Sequence, residues 1–257
     1  MATAVEGNTS RFSGRVQNYI KYRPGYPSQI LDLLTSLMAL SPQHLIADIG
    51  SGTGILTKVF LDNGNTVYGV EPNQEMRKAA EQILLSNLKF KSVAATAENT
   101  GIESASIDLI TAGQAFHWFN PITTKLEFKR ILKADGYVAL VWNNIREGST
   151  YSEAFEEFLL RHGVDYKELQ TRPGKDLEII EQFFAPNEFR SWTLENSQSF
   201  DLEGYIGRFL SISYAPQLGH PKHDNAICAL KALFKEFSED GILHLFYDTK
   251  LFLGRVN

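Results

Sequence analysis

The sequence predicts an α/β protein in which a mostly parallel sheet is covered by helices on both faces and carries a helical appendage. Two observations support this class. Short apolar runs rich in β-branched residues alternate with helical patterns in the first half of the chain, and this alternation stops near Asn144. Strands that alternate with helices in this way are typical of a parallel sheet. The predicted strands of the first half are residues 45–49, 66–71, 88–94, 107–112 and 136–142.

Helices are predicted wherever apolar residues recur three or four positions apart. In the first half these segments are residues 28–40, 55–63, 73–85 and 122–132. In the second half they are residues 151–162, 176–184, 202–214 and 226–238, and residues 188–194 alternate like a strand. Residues 242–256 also alternate, which predicts either one long strand or a hairpin around Asp248 and Thr249.

Composition excludes several classes of function. The chain has 257 residues and a formal net charge of −5, which disfavours nucleic acid and anionic membranes as partners. The single cysteine, Cys228, excludes an internal disulfide framework, and its helical apolar surroundings predict a place in the core. No metal-ligand spacing, signal peptide or membrane-spanning run stands out, so we expect a cytoplasmic protein without a metal.

The most informative local pattern is a glycine-rich loop, Asp48-Ile49-Gly50-Ser51-Gly52-Thr53-Gly54, between a predicted strand and a predicted helix. Glycines let a ligand approach the backbone closely, and the N-terminus of the following helix suits a carboxylate or phosphate. A dinucleotide fingerprint would place its third glycine at position 55, where Ile55 stands. Because this third glycine is absent, an NAD-dependent oxidoreductase is only the second-ranked hypothesis for the function of the protein.

A second pattern is the acidic residue Glu71, which stands at the carboxyl end of the next predicted strand. A carboxylate at that place can accept hydrogen bonds from both hydroxyls of a ribose. Taken without the glycine-rich loop, Glu71 has an alternative interpretation as an acid in a solvated loop. Together with the glycine-rich loop, Glu71 predicts a site for an adenosine moiety.

At this point the chain resembles a known family. The resemblance is to the class I S-adenosylmethionine-dependent methyltransferases, in the type 11, small-molecule branch that contains trans-aconitate methyltransferase-like proteins. It covers about residues 28–144, extends loosely through residues 12–27, and reaches residues 208–214. The motifs that carry it are residues 48–54, Glu71-Pro72-Asn73, Ala97-Glu98 and Gln114-Ala115-Phe116-His117-Trp118-Phe119.

The resemblance implies a Rossmann-like, doubly wound, seven-stranded and mostly parallel sheet whose last strand is antiparallel. It also implies S-adenosylmethionine as the cofactor, with the loop glycines along its methionine part, Asp48 near its amino group and Glu71 on the ribose. Many relatives carry Asp where Thr96 stands, so recognition of the adenine amino group is assigned to Ala97 and Glu98. The implied cofactor-binding residues are Asp48, Gly50, Gly52, Gly54, Glu71, Pro72, Asn73, Met76, Ala97, Glu98, Gln114 and Ala115.

The methyl acceptor is expected to be a small molecule. Nucleobase and amide methyltransferases resemble one another in an Asn/Asp-Pro-Pro-Tyr/Phe motif, and this chain has Gly113-Gln114-Ala115-Phe116 at that place. His117 is a candidate general base, although it could instead simply pack with Trp118 and Phe119. The predicted substrate-binding residues are Tyr19, Tyr22, Arg23, Trp118, Asn143 and Tyr214, with Arg23 suited to a carboxylate.

Aromatic residues make up 12% of the chain, and three aromatic segments, residues 12–26, 116–119 and 209–214, are expected to converge on the carboxyl edge of the sheet. The N-terminal segment would close as a lid, or would merely dock the tail on the fold. The predicted organisation is a tail and lid (residues 1–27, of which 1–10 are disordered), a cofactor-binding core (28–144), a mostly helical acceptor-side region (145–240) and closing strands (241–257).

The predicted function is methyl transfer to a small-molecule acceptor, at the oxygen of a carboxylate or hydroxyl. The alternatives are an NAD-dependent oxidoreductase and a non-catalytic protein that keeps the cofactor fold. The sequence leaves open the identity of the acceptor and whether the protein is a monomer or a dimer.

Overall fold

Seven strands form one sheet in a computed structural model that describes residues 14–170 and 177–256. The order across the sheet is β3-β2-β1-β4-β5-β7-β6. The five strands β1 to β5 pair in parallel, and β7 runs antiparallel to both β5 and β6. This confirms the seven-stranded sheet with an antiparallel last strand. The strands are β1 (Leu45–Ile49), β2 (Thr66–Val70), β3 (Phe90–Val93), β4 (Ile107–Gly113), β5 (Leu132–Ile145), β6 (Phe189–Phe200) and β7 (Leu243–Gly254).

Helices cover both faces of the sheet and build the appendage. Those of the first half are α1 (Val16–Tyr22), α2 (Gln29–Met38), α3 (Ile55–Asp62), α4 (Gln74–Ile83) and α5 (Pro121–Ile131), with a short 3-10 helix at Phe116–Trp118. Those of the second half are α6 (Thr150–His162), α7 (Tyr166–Gln170), α8 (Leu177–Phe184), α9 (Leu202–Leu210) and α10 (His223–Phe237). None of the helices in the described part of the chain is both long and apolar enough to cross a membrane.

The last strand, β7, decides between the two predicted alternatives in favour of one long strand. It is a single continuous strand, because Asp248 pairs with Asn144 of β5 on one side and with Glu195 of β6 on the other. The alternative hairpin around Asp248 and Thr249 is therefore wrong. The reason is visible in the burial pattern, since Tyr247, Thr249 and Leu251 all face the interior without a break.

The described residues form three hydrophobic clusters, two around the parallel strands and one in the appendage. Around the parallel strands, residues such as Ile49, Ile110 and Leu140 are fully buried, as expected for a sheet covered on both faces. In the appendage, Phe209 and Leu230 belong to the third cluster, which packs helices α6, α9 and α10 against β7. The appendage thus sits on the antiparallel end of the sheet, beside the carboxyl ends of the parallel strands.

Two predictions made from the sequence differ from the structure, and two others concern residues that the structure does not describe. Cys228 is exposed on α10 and not in the core, because it falls between the buried positions Ala226 and Leu230. The predicted helix 202–214 ends at Leu210. Phe12 and the tail of residues 1–10 lie outside the described residues.

Candidate functional site

The glycine-rich loop turns sharply at the carboxyl end of β1. Gly50 has a φ of 70°, and its N–H donates to the carbonyl of Val70 at 2.8 Å, which fastens the loop to β2. A Cβ at Gly50 would lie 2.6 Å from the Cβ of Ala115, so no other residue fits there. The loop is therefore shaped by its neighbours on β2 and after β4.

Glu71 lies directly after β2 and is only 8% exposed. Its Oε2 accepts from the N–H of Gly52 at 2.9 Å, and its Oε1 accepts from the N–H of Asn73 at 2.8 Å. Burial raises the pKa of the Glu71 carboxyl above its ordinary value, and these two N–H donors act against that shift. The carboxylate thus links the glycine-rich loop to the start of α4.

Most of the predicted cofactor residues border one cleft, which we call the cofactor cavity. Its walls also include residues that were not predicted as cofactor contacts, among them Tyr19, Trp118 and Phe119. The predicted residues that border it are Gly50, Gly52, Glu71, Pro72, Asn73, Met76, Ala97, Glu98, Gln114 and Ala115, and Thr96 lies beside them.

Two predicted cofactor residues lie elsewhere. Gly54 stands at the start of α3, where a Cβ would come within 2.8 Å of the Leu84 side chain, and it does not border the cofactor cavity. Asp48 borders a small neighbouring cavity beside Gly50, together with Tyr19 and Arg23. Gly54 therefore has a packing role that spacing alone could not distinguish from ligand contact.

Asp48 is buried beneath the glycine-rich loop at 1% exposure. The hydroxyls of Thr57 and Thr111 donate to its two carboxylate oxygens at 2.6 and 2.9 Å. Burial raises the pKa of Asp48 to about 6, and the hydrogen bonds from both threonines limit this rise.

Gln114, in the turn after β4, borders more than one cavity of the site. It has a left-handed backbone conformation, with a φ of 55°, that is uncommon for residues other than glycine. Its side-chain N–H donates to the carbonyl of Asn143 at 2.7 Å, which holds the turn after β4 against β5. Gln114 borders the cofactor cavity, the small cavity beside Asp48, and a third and larger cavity.

The third cavity, which we call the acceptor cavity, has a volume of about 1160 Å³ and lies between the sheet edge and the appendage. Five predicted substrate residues, together with the candidate base, border it: Tyr19, Arg23, His117, Trp118, Asn143 and Tyr214. Sequence reasoning missed other residues of its lining, notably Trp142, Trp192 and Arg208. Arg208 lies at the start of the weakly matching segment 208–214, which was the one signal that pointed to it.

The structure does not bring every predicted aromatic residue to the acceptor cavity. The Tyr22 ring packs on Gly207 of α9, where a Cβ would lie 2.1 Å from the ring. Phe116 and Phe209 are fully buried core residues, with 2% and 1% exposure. Only some residues of the three aromatic segments line the acceptor cavity, because others fill the hydrophobic core.

Asn143 and His117, both predicted to lie beside the methyl acceptor, make well-defined contacts with other residues. Asn143 lies within β5 and not at its end, and its side-chain N–H donates to the carbonyl of Gly25 at 3.1 Å. The ring of His117 lies 4.9 Å from that of Trp118, centroid to centroid. Both still border the acceptor cavity.

The residues of the cofactor cavity fit an adenosine-containing cofactor. Glu71 offers a buried carboxylate for ribose hydroxyls, and Met76 and Ala97 are buried apolar residues that border the same cleft. A Cβ at Gly52 would reach to 3.6 Å from the Met76 methyl group, so glycine keeps this space open. Within the described ranges, no group of three or more His, Cys, Asp or Glu residues could hold a metal ion.

The fold and this site define the class I methyltransferase architecture, and comparisons with known proteins agree. Residues 47–140 match the Methyltransf_11 family, described as a methyltransferase domain. Methyltransferases that bind S-adenosylmethionine are therefore homologues of this chain, and the matched segment includes the glycine-rich loop and Glu71.

Two relatives in sequence are described as uncharacterized methyltransferases. The chain is 30% identical over 162 residues to the uncharacterized methyltransferase Rv3342 of Mycobacterium tuberculosis, which covers 63% of this chain and 64% of that protein. It is 31% identical over 142 residues to the uncharacterized methyltransferase C25B8.09 of Schizosaccharomyces pombe, over 54% of each chain. The match therefore spans just under two thirds of the length of the mycobacterial relative.

Solved structures share the fold. A candidate type II methyltransferase from Anaeromyxobacter dehalogenans aligns with a TM-score of 0.62 and 22% identity, over 91% of this chain and 98% of that chain. Phosphoethanolamine N-methyltransferase 2 of Haemonchus contortus, in complex with phosphomonomethylethanolamine and S-adenosylhomocysteine, aligns with a TM-score of 0.55 and 17% identity. That alignment covers 93% of this chain and 56% of the nematode protein. At these identities the likeness concerns the fold alone.

Proposed function

We propose that the protein transfers the methyl group of S-adenosylmethionine to an oxygen atom of a small-molecule acceptor, a carboxylate or a hydroxyl. The observation that carries this proposal is that the cofactor cavity and the acceptor cavity have common walls. Tyr19, Gln114 and Trp118 border both. A methyl donor in one cavity and an acceptor in the other would meet at these three residues.

The chain's main contribution would be to orient the two reactants and exclude water. S-adenosylmethionine, when bound, supplies a methyl group that is already activated for displacement. Holding two reactants in line can contribute roughly 7–11 kcal/mol to lowering a barrier. Gln114 is suited to this work because its strained turn is held against β5 by its own side chain. The Trp118 ring would line the path, and an aromatic face attracts a neighbouring positive charge.

A general base is required only when the acceptor arrives protonated. A carboxylate is already ionised at neutral pH, so its methylation would proceed without one. A hydroxyl acceptor would need a base, and His117 is the histidine that borders the acceptor cavity. We assign His117 this role for hydroxyl acceptors only.

Calorimetric titration with S-adenosylhomocysteine tests the cofactor assignment, and a parallel titration with NADH tests the oxidoreductase alternative. We expect S-adenosylhomocysteine to bind and NADH not to bind. Product detection by mass spectrometry across carboxylates, phenols and amines then tests the acceptor atom. No binding of S-adenosylhomocysteine at millimolar concentration would contradict the proposal, and methylation of amines alone would contradict the oxygen assignment.

The Glu71→Gln variant tests the ribose assignment. The amide keeps an acceptor for a loop N–H but removes the charge, so we expect the affinity for S-adenosylhomocysteine to fall by about 1–3 kcal/mol, the usual cost of losing charged hydrogen bonds. The measurement is the same calorimetric titration. The control is Glu103→Gln, which changes an exposed acid away from the cavity and should leave the affinity unchanged. Equal affinity in Glu71→Gln and the wild type would show that the ribose binds elsewhere.

A further inference from the structure

Two arginines border the acceptor cavity, and they come from different parts of the chain. Arg23 follows α1, and Arg208 lies on α9 with only 8% exposure. The Nη2 of Arg23 donates to the carbonyl of Ser211 at 3.3 Å, and its guanidinium lies over the Tyr19 ring at 4.8 Å. The Nε of Arg208 donates to the hydroxyl of Tyr247 at 3.3 Å. Carbonyl and hydroxyl groups hold these side chains in place without neutralising their charge.

No carboxylate within the described residues forms an ion pair with Arg23 or Arg208, although the chain has more acidic than basic residues. The Nε of Arg23 is closed off from solvent and finds no hydrogen-bond partner in the described structure. Burial lowers the pKa of Arg23, and the charge of Arg208 acts in the same direction, yet arginine keeps its proton in proteins. The cavity therefore contains two positive charges whose burial is costly without an anion.

Most of the other charged groups that border the cavity are exposed to solvent, and Glu156 is half-buried. Glu147, Glu153 and Glu157 are exposed, and Glu156 accepts a hydrogen bond from the hydroxyl of Tyr166. Lys250, from β7, is also exposed. The acceptor cavity is thus positive at its buried end and mostly negative at its rim, which favours a ligand that enters with an anionic group first.

We propose that Arg23 and Arg208 form an anion subsite that binds a carboxylate or phosphate group of the methyl acceptor. This inference rests on the proposed function and adds the chemical class of the acceptor. Guanidinium groups suit both anions because their N–H donors form paired hydrogen bonds with two oxygens. The tryptophans Trp118 and Trp192, which border the same cavity, would contact the apolar remainder of the acceptor.

The position of Arg208 assigns the subsite to the acceptor and not to the carboxylate of the cofactor. Arg208 borders the acceptor cavity, but neither the cofactor cavity nor the small cavity beside Asp48 includes it. Arg23 borders both the acceptor cavity and the small cavity. Arg208 is therefore the residue whose substitution separates binding of the acceptor from binding of the cofactor.

The test compares three probes of nearly equal shape in the protein saturated with S-adenosylhomocysteine. Phenylacetate and phenyl phosphate carry an anionic group, and phenylacetamide is the neutral counterpart of phenylacetate. We expect at least one anion to bind about tenfold or more tightly than phenylacetamide in calorimetric titration. The tighter of the two anions identifies the head group. Equal affinities for the three probes, or no binding of either anion at millimolar concentration, would overturn the proposal.

The Arg208→Gln variant should lose the preference for the anion and keep the wild-type affinity for S-adenosylhomocysteine. Arg208→Lys keeps the charge without the paired donors, and should retain part of the preference. The matched control is Lys21→Gln, which removes an exposed cation that joins the same two helices through Glu203 and should keep the full preference. A loss of S-adenosylhomocysteine affinity in Arg208→Gln, with the anion preference intact, would overturn the assignment to the acceptor.

The test stays decisive if the variant does not fold, because the preference of the wild type for anions is measured independently. Failure of the proposed function gives a different result. A wild type that does not bind S-adenosylhomocysteine contradicts methyl transfer. In that case the three probes are titrated into the unliganded protein, and a preference for the anions that Arg208→Gln removes still supports the anion subsite.

Discussion

Asp48 is a buried carboxylate whose charge is costly to the stability of the fold. Its carboxylate is buried under the glycine-rich loop, where it accepts hydrogen bonds from the hydroxyls of Thr57 and Thr111 and from the backbone N–H of Thr57. These neutral hydrogen bonds do not fully replace the hydration that the carboxylate loses, which is why its pKa is raised. The charged form of Asp48 therefore lowers the stability of the fold.

The pH dependence of stability tests this interpretation. The pKa of Asp48 is about 6 in the folded protein and 3.8 in the reference state, so the folded state binds the proton more tightly. Its contribution to stability is therefore fully present below pH 3.8 and is lost as the pH rises through about 6. Because Asp48→Asn cannot ionise, we expect it to gain about 3 kcal/mol in free energy of unfolding relative to the wild type across this range. Urea denaturation at several pH values measures the difference, and a difference independent of pH would contradict the prediction.

Some site residues can be predicted from the sequence around them, and others depend on contacts between distant parts of the chain. The positions of Gly50 and Glu71 at the cofactor cavity are predictable because they depend on local geometry, a loop after one strand and an acid after the next. Arg208 was not predicted, because an arginine on an amphipathic helix is usually solvated. Its burial depends on Tyr247 of β7, a contact between residues 39 positions apart that no local pattern encodes.

Among the elements, the contact between α1 and α9 positions the N-terminal side of both cavities. Gly207 lets the Tyr22 ring lie directly on α9, and the hydroxyl of Tyr22 reaches Glu203 on the same helix. Arg23 follows Tyr22 in the chain, so this contact also sets the position of one half of the anion subsite. Sequence reasoning treated the N-terminal segment as a lid or tail and did not predict α1.

The Gly207→Ala variant tests this contact. Alanine favours a helix over glycine by up to about 1 kcal/mol, but its Cβ would overlap the Tyr22 ring. Overpacking of this kind typically costs about 1–3 kcal/mol, so we expect a net loss of stability in urea denaturation. The control is Gly25→Ala, where a Cβ meets nothing within 4 Å and stability should change little. A more stable Gly207→Ala protein would mean that Tyr22 moves aside freely.

The lengths of β5 and β6 were underestimated for a physical reason. The sequence predicted seven residues for each, and the structure has 14 in β5 and 12 in β6. The added part of β6 is polar, as in Glu195 and Ser197, and gives no apolar signal. Pairing with β7 over the whole length supplies the hydrogen bonds that keep this part extended.

At the scale of the whole molecule, a small polar network joins the N-terminal segment to the antiparallel end of the sheet. The side chains of Asn143 on β5 and Asn196 on β6 both donate to the carbonyl of Gly25. The hydroxyl of Thr249 on β7 donates to Asn143. Three strands and the segment after α1 are therefore held together at one point beside the acceptor cavity.

The Asn143→Ala variant tests whether this network holds the N-terminal segment. Removing the side chain leaves the Thr249 hydroxyl without its acceptor and takes one of two donors from Gly25, at a cost of about 1–3 kcal/mol. We expect faster amide hydrogen exchange in Val16–Tyr22 and unchanged exchange in β1 and β4, measured by mass spectrometry. Asn225→Ala, at an exposed position on α10, is the control and should match the wild type. Unchanged exchange in Val16–Tyr22 would show that packing on α9 is sufficient.

The strand order has a further consequence for synthesis. Among the described strands, β6 pairs with β7 alone, and β7 comes later in the chain. On the ribosome, β6 therefore emerges with no place to dock, and β5 keeps an open edge until β7 has left the exit tunnel. During that interval the nascent chain exposes the unpaired strand β6 and one open edge of β5, and such edges favour pairing with another molecule. We expect a folding intermediate of this protein to depend on chaperones at this stage of its synthesis.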